Sequence, residues 1–542
     1  MQVDRKDWVP EPEQKISVPE MPPSVQAMID NPAKPPAPVI MVRAGILPKL
    51  ASDCEQALIA SGADIFQRGG VLVRPMAWEV SASDERTTMA AGLKIITPTI
   101  LVDLLAQNAD FVKYDARSKR DVPTDPPEMA AGILLSRAGL WRFHTVLGIL
   151  AAPTLRRDGS IMAAPGYDPQ TRFYLEPDPA LTIPTMPEYP SREDAEAALA
   201  LLSGLLENFP FCTGTDRSVA LSAIISPIVR GALGMVPLHA FTAPAPGTGK
   251  SYIADVASAI LSGRICPVAT AGKTEEETEK RLGALLIAGY PLVSIDNVSG
   301  PLGGDLLCQL IERPVIRIRP LGKSEIMELE SRATVFANGN NLVIEGDMTR
   351  RTILSKLDAG MERPEERTFT FDPVAKVLED RGRYITAALT IVRAYILAGS
   401  PGKLSPLQSF TEWSDNVRSA LVWLGQPDPA DSINEIRAND PILSSLRDIL
   451  TAWRAVYADE KHKAADVVKR LESILGIDPL YAELTVLREV LLPVVGVRGV
   501  LDARKMGEWL RKNRGRPSGG FKFATDGVRA GTTYWKVEAA TG

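Results

Sequence analysis

The stretch 238–263, LHAFTAPAPGTGKSYIADVASAILSG, constrains this chain more than any other. His239 to Thr242 reads as a short apolar strand, Ala243 to Gly249 as a loop, and Lys250 onward as an amphipathic helix that stops at Gly263. A strand feeding a glycine-rich loop, a Lys-Ser pair and then a helix is the context in which such a loop cradles phosphate, and it calls for an α/β core. Gly247 and Gly249 let backbone N–H groups converge on phosphate oxygens. Lys250 places a cation near the β and γ phosphates, and Ser251 offers a hydroxyl for Mg²⁺ at the helix start. The contacting stretch is then Pro246, Gly247, Thr248, Gly249, Lys250, Ser251 and Tyr252. Pro244 stands where such loops usually open with glycine; it donates no N–H, but that position lies furthest from the β and γ phosphates.

A phosphate site of this kind needs an acid on a second strand. The run 291-PLVSIDNV-298 ends an apolar strand in Asp296, roughly 45 residues after Lys250, where a carboxylate holds the metal through its water shell. Asn297 follows, at a position where many ATPases carry a second acid that polarises the attacking water, so hydrolysis is less secure than binding. A third strand, 333-ATVFA-337, leads into Asn338, Asn340 and Asn341. An amide at the tip of a strand beside the phosphate strand orients water against a γ-phosphate. The segment 346-GDMTRR-351 then supplies Arg350 and Arg351, which across a subunit interface reach a neighbour's γ-phosphate and stabilise charge developing in phosphoryl transfer.

Composition narrows the setting. With 542 residues, several domains are expected; 45% hydrophobic and 23% charged residues describe an ordinary globular protein, and a net charge of -5 confines any nucleic-acid contact to local patches. Cys54, Cys212, Cys266 and Cys308 form no CxxC pair, which fits a reducing cytoplasm without disulfides or a zinc ribbon. There is neither a signal-like N-terminus nor an apolar run of about 18 residues, so no membrane association is expected. The proline-rich residues 1–38 read as a flexible tail. Residues 39–125 read as a small α+β domain with a helix capped near Thr97, and 126–190 as a β-rich domain whose Asp158-Gly159 and Pro165-Gly166 mark turns. Residues 191–235 read as a helical segment with caps at Ser191 and Asp216, 236–372 as the α/β core, 373–500 as helical, and 501–542 as a separate basic module.

That last module carries nine Lys/Arg against four Asp/Glu between Leu501 and Glu538. A basic helix with Arg504, Lys505, Arg511 and Lys512, then Arg514 and Arg516, precedes two strands, FKFAT and TTYWKV, and looks like a winged helix. Such a helix enters a DNA groove, and each phosphate it neutralises steepens the salt dependence by about 0.9 in log-log slope. Trp509 and Trp535 read as core.

With PAPGTGKS, SIDNV, FANGNN and GDMTRR in this order, the chain resembles AAA+ ATPases, and more narrowly the superfamily 3 helicases of viruses, phages and plasmids. The flanking PGYDPQTRFYL, FCTGTDRSVALSAIISPIVRG and GSPGKLSPLQSFTEWSDNVRSALVWLGQPDP are similar to replication proteins of prophages and integrative elements, and the likeness covers roughly Pro126 to Ala430. The resemblance implies ATP and Mg²⁺ as cofactors, Lys250 and Ser251 as the phosphate-loop pair, Asp296 as the metal acid, Asn340 or Asn338 as the sensor, and Arg351 or Arg350 as the trans-acting finger. It also implies a pore hairpin gripping DNA; the interval 315-VIRIRPLGKSEIMELES-331 reads as one, with Lys323 at the tip and Arg317 and Arg319 on one strand face. Pro244 and Asn297 depart from the pattern, and Glu312 and Glu345 are candidates for the missing base. The implied activity is an ATP-driven helicase or translocase acting on single-stranded or forked DNA as a ring, hexameric by expectation. The alternative is an AAA+ initiator or loader that uses ATP as a switch. No zinc-ligand set or paired-acid cluster suggests priming activity.

Overall fold

The computed structural model describes residues 37–81, 87–272, 275–319, 326–438, 440–529 and 532–540. The chain divides into two compact units, one built from Met1–Ala63 with Thr97–Arg142, the other from Asp64–Ile96 with Phe143–Gly542. The stretch 39–125 is therefore shared between units, and no boundary falls at 126. The expected tail 1–38 lies outside the described residues apart from its last two.

In the first unit, Val39–Val42 pairs in parallel with Asp110–Asp115, which pairs antiparallel with Arg120–Pro123. Helices Leu47–Ala60, Pro98–Asn108 and Glu128–Ser136 pack with one another. Thr97 caps the second of these, its side chain accepting from the Ile100 N–H. Capping of this kind stabilises a helix by about 1 kcal/mol.

The second unit is organised by a five-stranded parallel sheet. Its strands in chain order are β1 (Leu238–Ala243), β2 (Val268–Thr270), β3 (Leu292–Asp296), β6 (Thr334–Asn340) and β7 (Thr352–Lys356); β4 (Val315–Ile318) and β5 (Met327–Glu330) form a separate antiparallel hairpin between β3 and β6. The spatial order is β2-β3-β6-β1-β7, with every neighbouring pair parallel. β1 is buried over its whole length, as a strand with both faces covered must be. Between the strands run α1 (Lys250–Ser262), α2 (Glu275–Ile287) and α3 (Asp305–Glu312). Helix α1 buries Ile253, Val256, Ala257 and Ile260 and ends at Gly263, whose φ of 74° is the left-handed conformation of a helix C-terminus.

Ser191 caps the helix Arg192–Gly204 as expected, but the next cap is Thr213 rather than Asp216. Asp216 sits three residues inside, receives the Thr213 N–H, and completes a reciprocal capping box. Its other oxygen accepts the Lys356 N–H at the end of β7, so one carboxylate joins the helix start to the sheet edge. Asp158 receives both the N–H and the hydroxyl of Ser160, and Asp168 is held by Arg156 and Thr171, so both acids serve turns.

A small β-rich layer is fastened to the end of α2 and to β5 through a buried arginine. Arg68, at the end of Phe66–Arg68, donates to the carbonyls of Leu286 (2.7 Å), Ile287, Val146, Leu147 and Glu330. The guanidinium thereby satisfies carbonyls from three distant segments that burial would otherwise leave unpaired.

The C-terminal region has its own apolar core, extending from Leu446 to Val537 and distinct from the core under the sheet. It joins α4 (Pro441–Tyr457), α5 (Ala464–Glu472), α6 (Tyr481–Val495), α7 (Ala503–Lys512) and the antiparallel pair β8 (Phe521–Arg529) and β9 (Thr532–Ala539). This core starts well before 501: Trp453 of α4 meets Phe523 of β8 edge-on at 5.2 Å. Trp535 is buried in it, with Trp509 packed against it.

His239 on β1 is fully buried, with its Nε2 3.0 Å from the Ser222 hydroxyl. Burial pushes its pKa down to about 3 from an ordinary 6.5. Between those values the unfolded chain binds a proton that the folded chain refuses, so stability rises with pH across this window. Lowering pH from 6.5 to 5 should cost about 2 kcal/mol through this residue. Urea melts of wild type and His239→Gln should converge as the pH falls; equal slopes in the two proteins would refute the assignment.

Candidate functional site

Three parallel strands end on one edge of the sheet. Register places Ala243 opposite Asn340 and Phe241 opposite Asn338, while Ile295 lies opposite Ala337. The loop after β1, the acid ending β3 and the amides ending β6 therefore share the carboxyl edge, where ligands of parallel sheets bind.

The loop Pro244–Gly249 depends on its glycines. Gly247 and Gly249 have φ of 75° and 95°, which L side chains rarely adopt. Space is also short: a Cβ on Gly247 would lie 3.0 Å from the Glu365 backbone nitrogen, and one on Gly249 would lie 3.2 Å from the Phe209 ring. Lys250 is buried at the start of α1, and its Nζ donates to the Ala245 carbonyl and the Thr248 hydroxyl, both at 3.0 Å. Burial lowers its pKa, and the Asp296 carboxylate opposes that effect. Ser251 is exposed in the first turn of α1. An ammonium and free N–H groups at a helix N-terminus form an anion-binding arrangement.

The structure adds residues that sequence reading missed. A cavity of about 640 Å³ is bounded by Gly247–Tyr252 on one side and by Phe209, Phe369 and Phe371 on the other. The segment carrying the last two is tied down: Tyr252 Oη bonds to Asp372, which also accepts from the Val374 and Ala375 N–H groups, and Thr370 bonds to Asn208. Phe369 and Phe371 flank the loop at long sequence distance, and the alternation in 368-TFTFDP-373 is their local signal.

At the end of β3, Asn297 adopts φ 56° and donates its N–H to Asp296 Oδ1 at 2.8 Å and Asn338 Oδ1 at 3.4 Å. Asparagine tolerates this left-handed conformation better than most residues. Its identity thus has a backbone reason independent of chemistry. β6 continues through Asn340, so Asn338 is a buried strand residue beside Ser294 and the Asp296–Asn297 turn, whereas Asn340 is exposed opposite Ala243. Of the two amides, Asn338 stands next to the acid.

Arg350 and Arg351 have different environments. Arg351 is 4% exposed and bonds to Glu312 and Asp347. Arg350 keeps 45% of its side-chain surface and contacts the same two acids at 3.2 and 3.6 Å. Only Arg350 has the exposure to meet another chain. Glu312, at the end of α3, also accepts from Ser409 at 3.0 Å. Partial burial pushes its carboxyl up, but the Ser409 hydrogen bond and the two arginines outweigh this and hold it below the usual range. A carboxylate so engaged is a poor proton acceptor, which speaks against Glu312 as a base. Glu345 lines another cavity, of about 350 Å³, with Ile295 and Val298.

β4 and β5 pair from Val315↔Glu330 to Ile318↔Met327. Lys323 lies outside the described residues. Arg317 and Arg319 are exposed on one side while Ile316 and Ile318 are buried, and Arg317 pairs with Glu328 at 2.9 Å. On α7, Met506 and Leu510 face the core, leaving Arg504, Lys505, Arg511 and Lys512 exposed together with Arg514, whereas Arg516 is half-buried. Arg504 pairs with Glu508. Among the described residues, no acid lies within ion-pair distance of Lys505, Arg511, Lys512, Arg514 or Arg516. None of the helices described is long and apolar enough to cross a membrane.

No protein-family model matches the sequence, and no curated protein matches it either. Among solved structures, the apo A form of the NrS-1 C-terminal region aligns with a TM-score of 0.36 at 12% identity, covering 82% of this chain and 100% of that one. A second structure of that region aligns at 0.38 and 11%, covering 89% and 98%. JCV helicase with a bound thiazolopyridine acetamide aligns at 0.21 and 12%, covering 46% of this chain and 74% of that one.

Proposed function

We propose that this chain is an ATP-dependent DNA helicase or translocase for replication of a phage or other mobile element, working in the cytoplasm as a ring of expected hexameric size. The observation that carries the reading is the convergence on one sheet edge of the Lys250 loop, Asp296 and Asn338, beside an aromatic cavity of about 640 Å³. In this reading Lys250 exchanges its contacts with Ala245 and Thr248 for phosphate oxygens, and the N–H groups at the start of α1 hold the same anion. The cavity walls receive the base, with Phe369 or Phe371 stacking on it.

The Ser251 hydroxyl and the Asp296 carboxylate are hard oxygen donors of the kind Mg²⁺ takes, and they fit that ion. When bound there, Mg²⁺ would offset charge on the transferring phosphoryl group. Asn338 orients water, Arg350 enters the neighbouring subunit's site, and the β4–β5 hairpin with Lys323, Arg317 and Arg319 tracks a DNA strand. The cations of α7 and its following loop, Arg504, Lys505, Arg511, Lys512, Arg514 and Arg516, bind duplex or forked DNA phosphate. Asn297 in place of an acid favours the second reading, an ATP switch that assembles on DNA and hydrolyses slowly.

Unwinding of a forked duplex separates the two. Wild type should unwind it with ATP. Lys250→Ala should lose about a hundredfold or more in ATP turnover, and Lys323→Ala should lose unwinding while retaining turnover. ATP-dependent DNA binding without unwinding or DNA-stimulated hydrolysis would replace the motor with the switch. Arg350→Ala should cost on the order of 10³ in turnover; mixing it with Lys250→Ala protein should restore part of the activity, and no recovery at any ratio would exclude action in trans. Phe369→Ala together with Phe371→Ala should weaken binding of a fluorescent ATP analogue by roughly tenfold. Unchanged affinity would place the base elsewhere.

A further inference from the structure

Building on the proposed trans-acting arginine, we propose that Glu312 is a positioning residue that couples Arg350's engagement with a neighbouring nucleotide to the base of the DNA-facing hairpin. Glu312 ends α3, and Val315, three residues later, begins β4. Its Oε1 accepts from Arg350 at 3.2 Å and from Ser409 at 3.0 Å, while Oε2 accepts from Arg351. One carboxylate therefore joins the turn carrying both arginines, the first hairpin strand and the 408–410 turn.

The other side of the hairpin base is anchored separately. Glu330, opposite Val315 in register, makes two hydrogen bonds to Arg172, and its carbonyl accepts from Arg68. The hairpin thus has a fixed tether on β5 and an exchangeable one on the α3–β4 side. The difference lies in the arginines. Arg351 is buried and stays on Glu312, whereas Arg350 is half-exposed and is shared between Glu312 and Asp347. When Arg350 turns to an anion on another subunit, Glu312 keeps Arg351 and Ser409 alone, and its changed pull reaches β4 through two intervening residues.

The measurement is a coupling ratio: affinity of the full-length protein for oligo(dT), by fluorescence anisotropy, with and without a non-hydrolysable ATP analogue. Wild type should show a ratio of about 5 or more. Glu312→Gln, which keeps the shape but loses the charge, should bring the ratio towards one while oligo(dT) binding without nucleotide and analogue binding without DNA each stay within about twofold of wild type. A structural defect alone would weaken both separate affinities instead. Glu312→Asp should recover part of the ratio. Arg350→Ala, a change at a half-exposed side chain, should lower the ratio equally, and the double variant should lose no more than either single one. A Glu312→Gln ratio equal to wild type, or losses that add in the double variant, would overturn the inference and leave the helicase reading standing. A ratio of one in wild type would remove both.

Discussion

The site rests on the close parallel packing of β3, β6 and β1. Parallel pairing brings the carboxyl ends of all three strands to one edge, and β6 lies between the loop strand and the acid strand. The approach is tight at Gly339, where a Cβ would meet the Val298 carbonyl at 2.4 Å. Any side chain there would push the turn after Asp296 away from β6 and separate Asn338 from Asp296. The Val298 N–H to Asn338 carbonyl bond of 2.9 Å closes the same contact. Thus a main-chain fit, rather than an ion pair, decides whether the candidate groups meet.

Around this fit, distant segments are fastened by buried arginines that use their fixed array of N–H donors on backbone carbonyls. Arg68 joins the β-rich layer to the end of α2 and to β5, and Arg381 joins Ala151 to Ile260 and Leu261 at the end of α1. Burial lowers the pKa of each to about 10, so both stay charged near neutrality. Several carbonyls are satisfied at once, an arrangement suited to the ends of helices and strands where intrinsic partners run out. The outcome is that α1, which begins at Lys250, is braced at its far end by a residue well over a hundred positions away.

Much of this was legible along the chain because it is local. Strand, loop and helix around Lys250 follow from the spacing of apolar residues and glycine placement, the caps at Thr97 and Ser191 from side-chain reach over three residues, and the β4–β5 hairpin from alternation. Reading Asp216 as a cap failed narrowly, since Thr213 and Asp216 belong to one reciprocal motif and either reads as its start. The domain boundaries were harder. Asp64–Ile96 looks continuous with its neighbours in sequence, yet its apolar residues Phe66, Val73 and Leu93 pack with Val146, Ile149 and Tyr174, a choice of partner that periodicity does not encode.

Sequence alone determined the order of the candidate groups: a loop with Lys250, an acid at Asp296, amides after Phe336, and adjacent arginines. Those features are set by backbone freedom and side-chain chemistry within a few residues. Tertiary structure alone decided that Asn338 rather than Asn340 lies beside the acid, that Arg351 is buried while Arg350 is reachable, that Glu312 is occupied by both, and that three phenylalanines wall the cavity. Each of these turns on which surfaces are excluded from water when remote segments pack. Exclusion from water is a property of the folded assembly of strands and helices, and it has no counterpart in the order of residues.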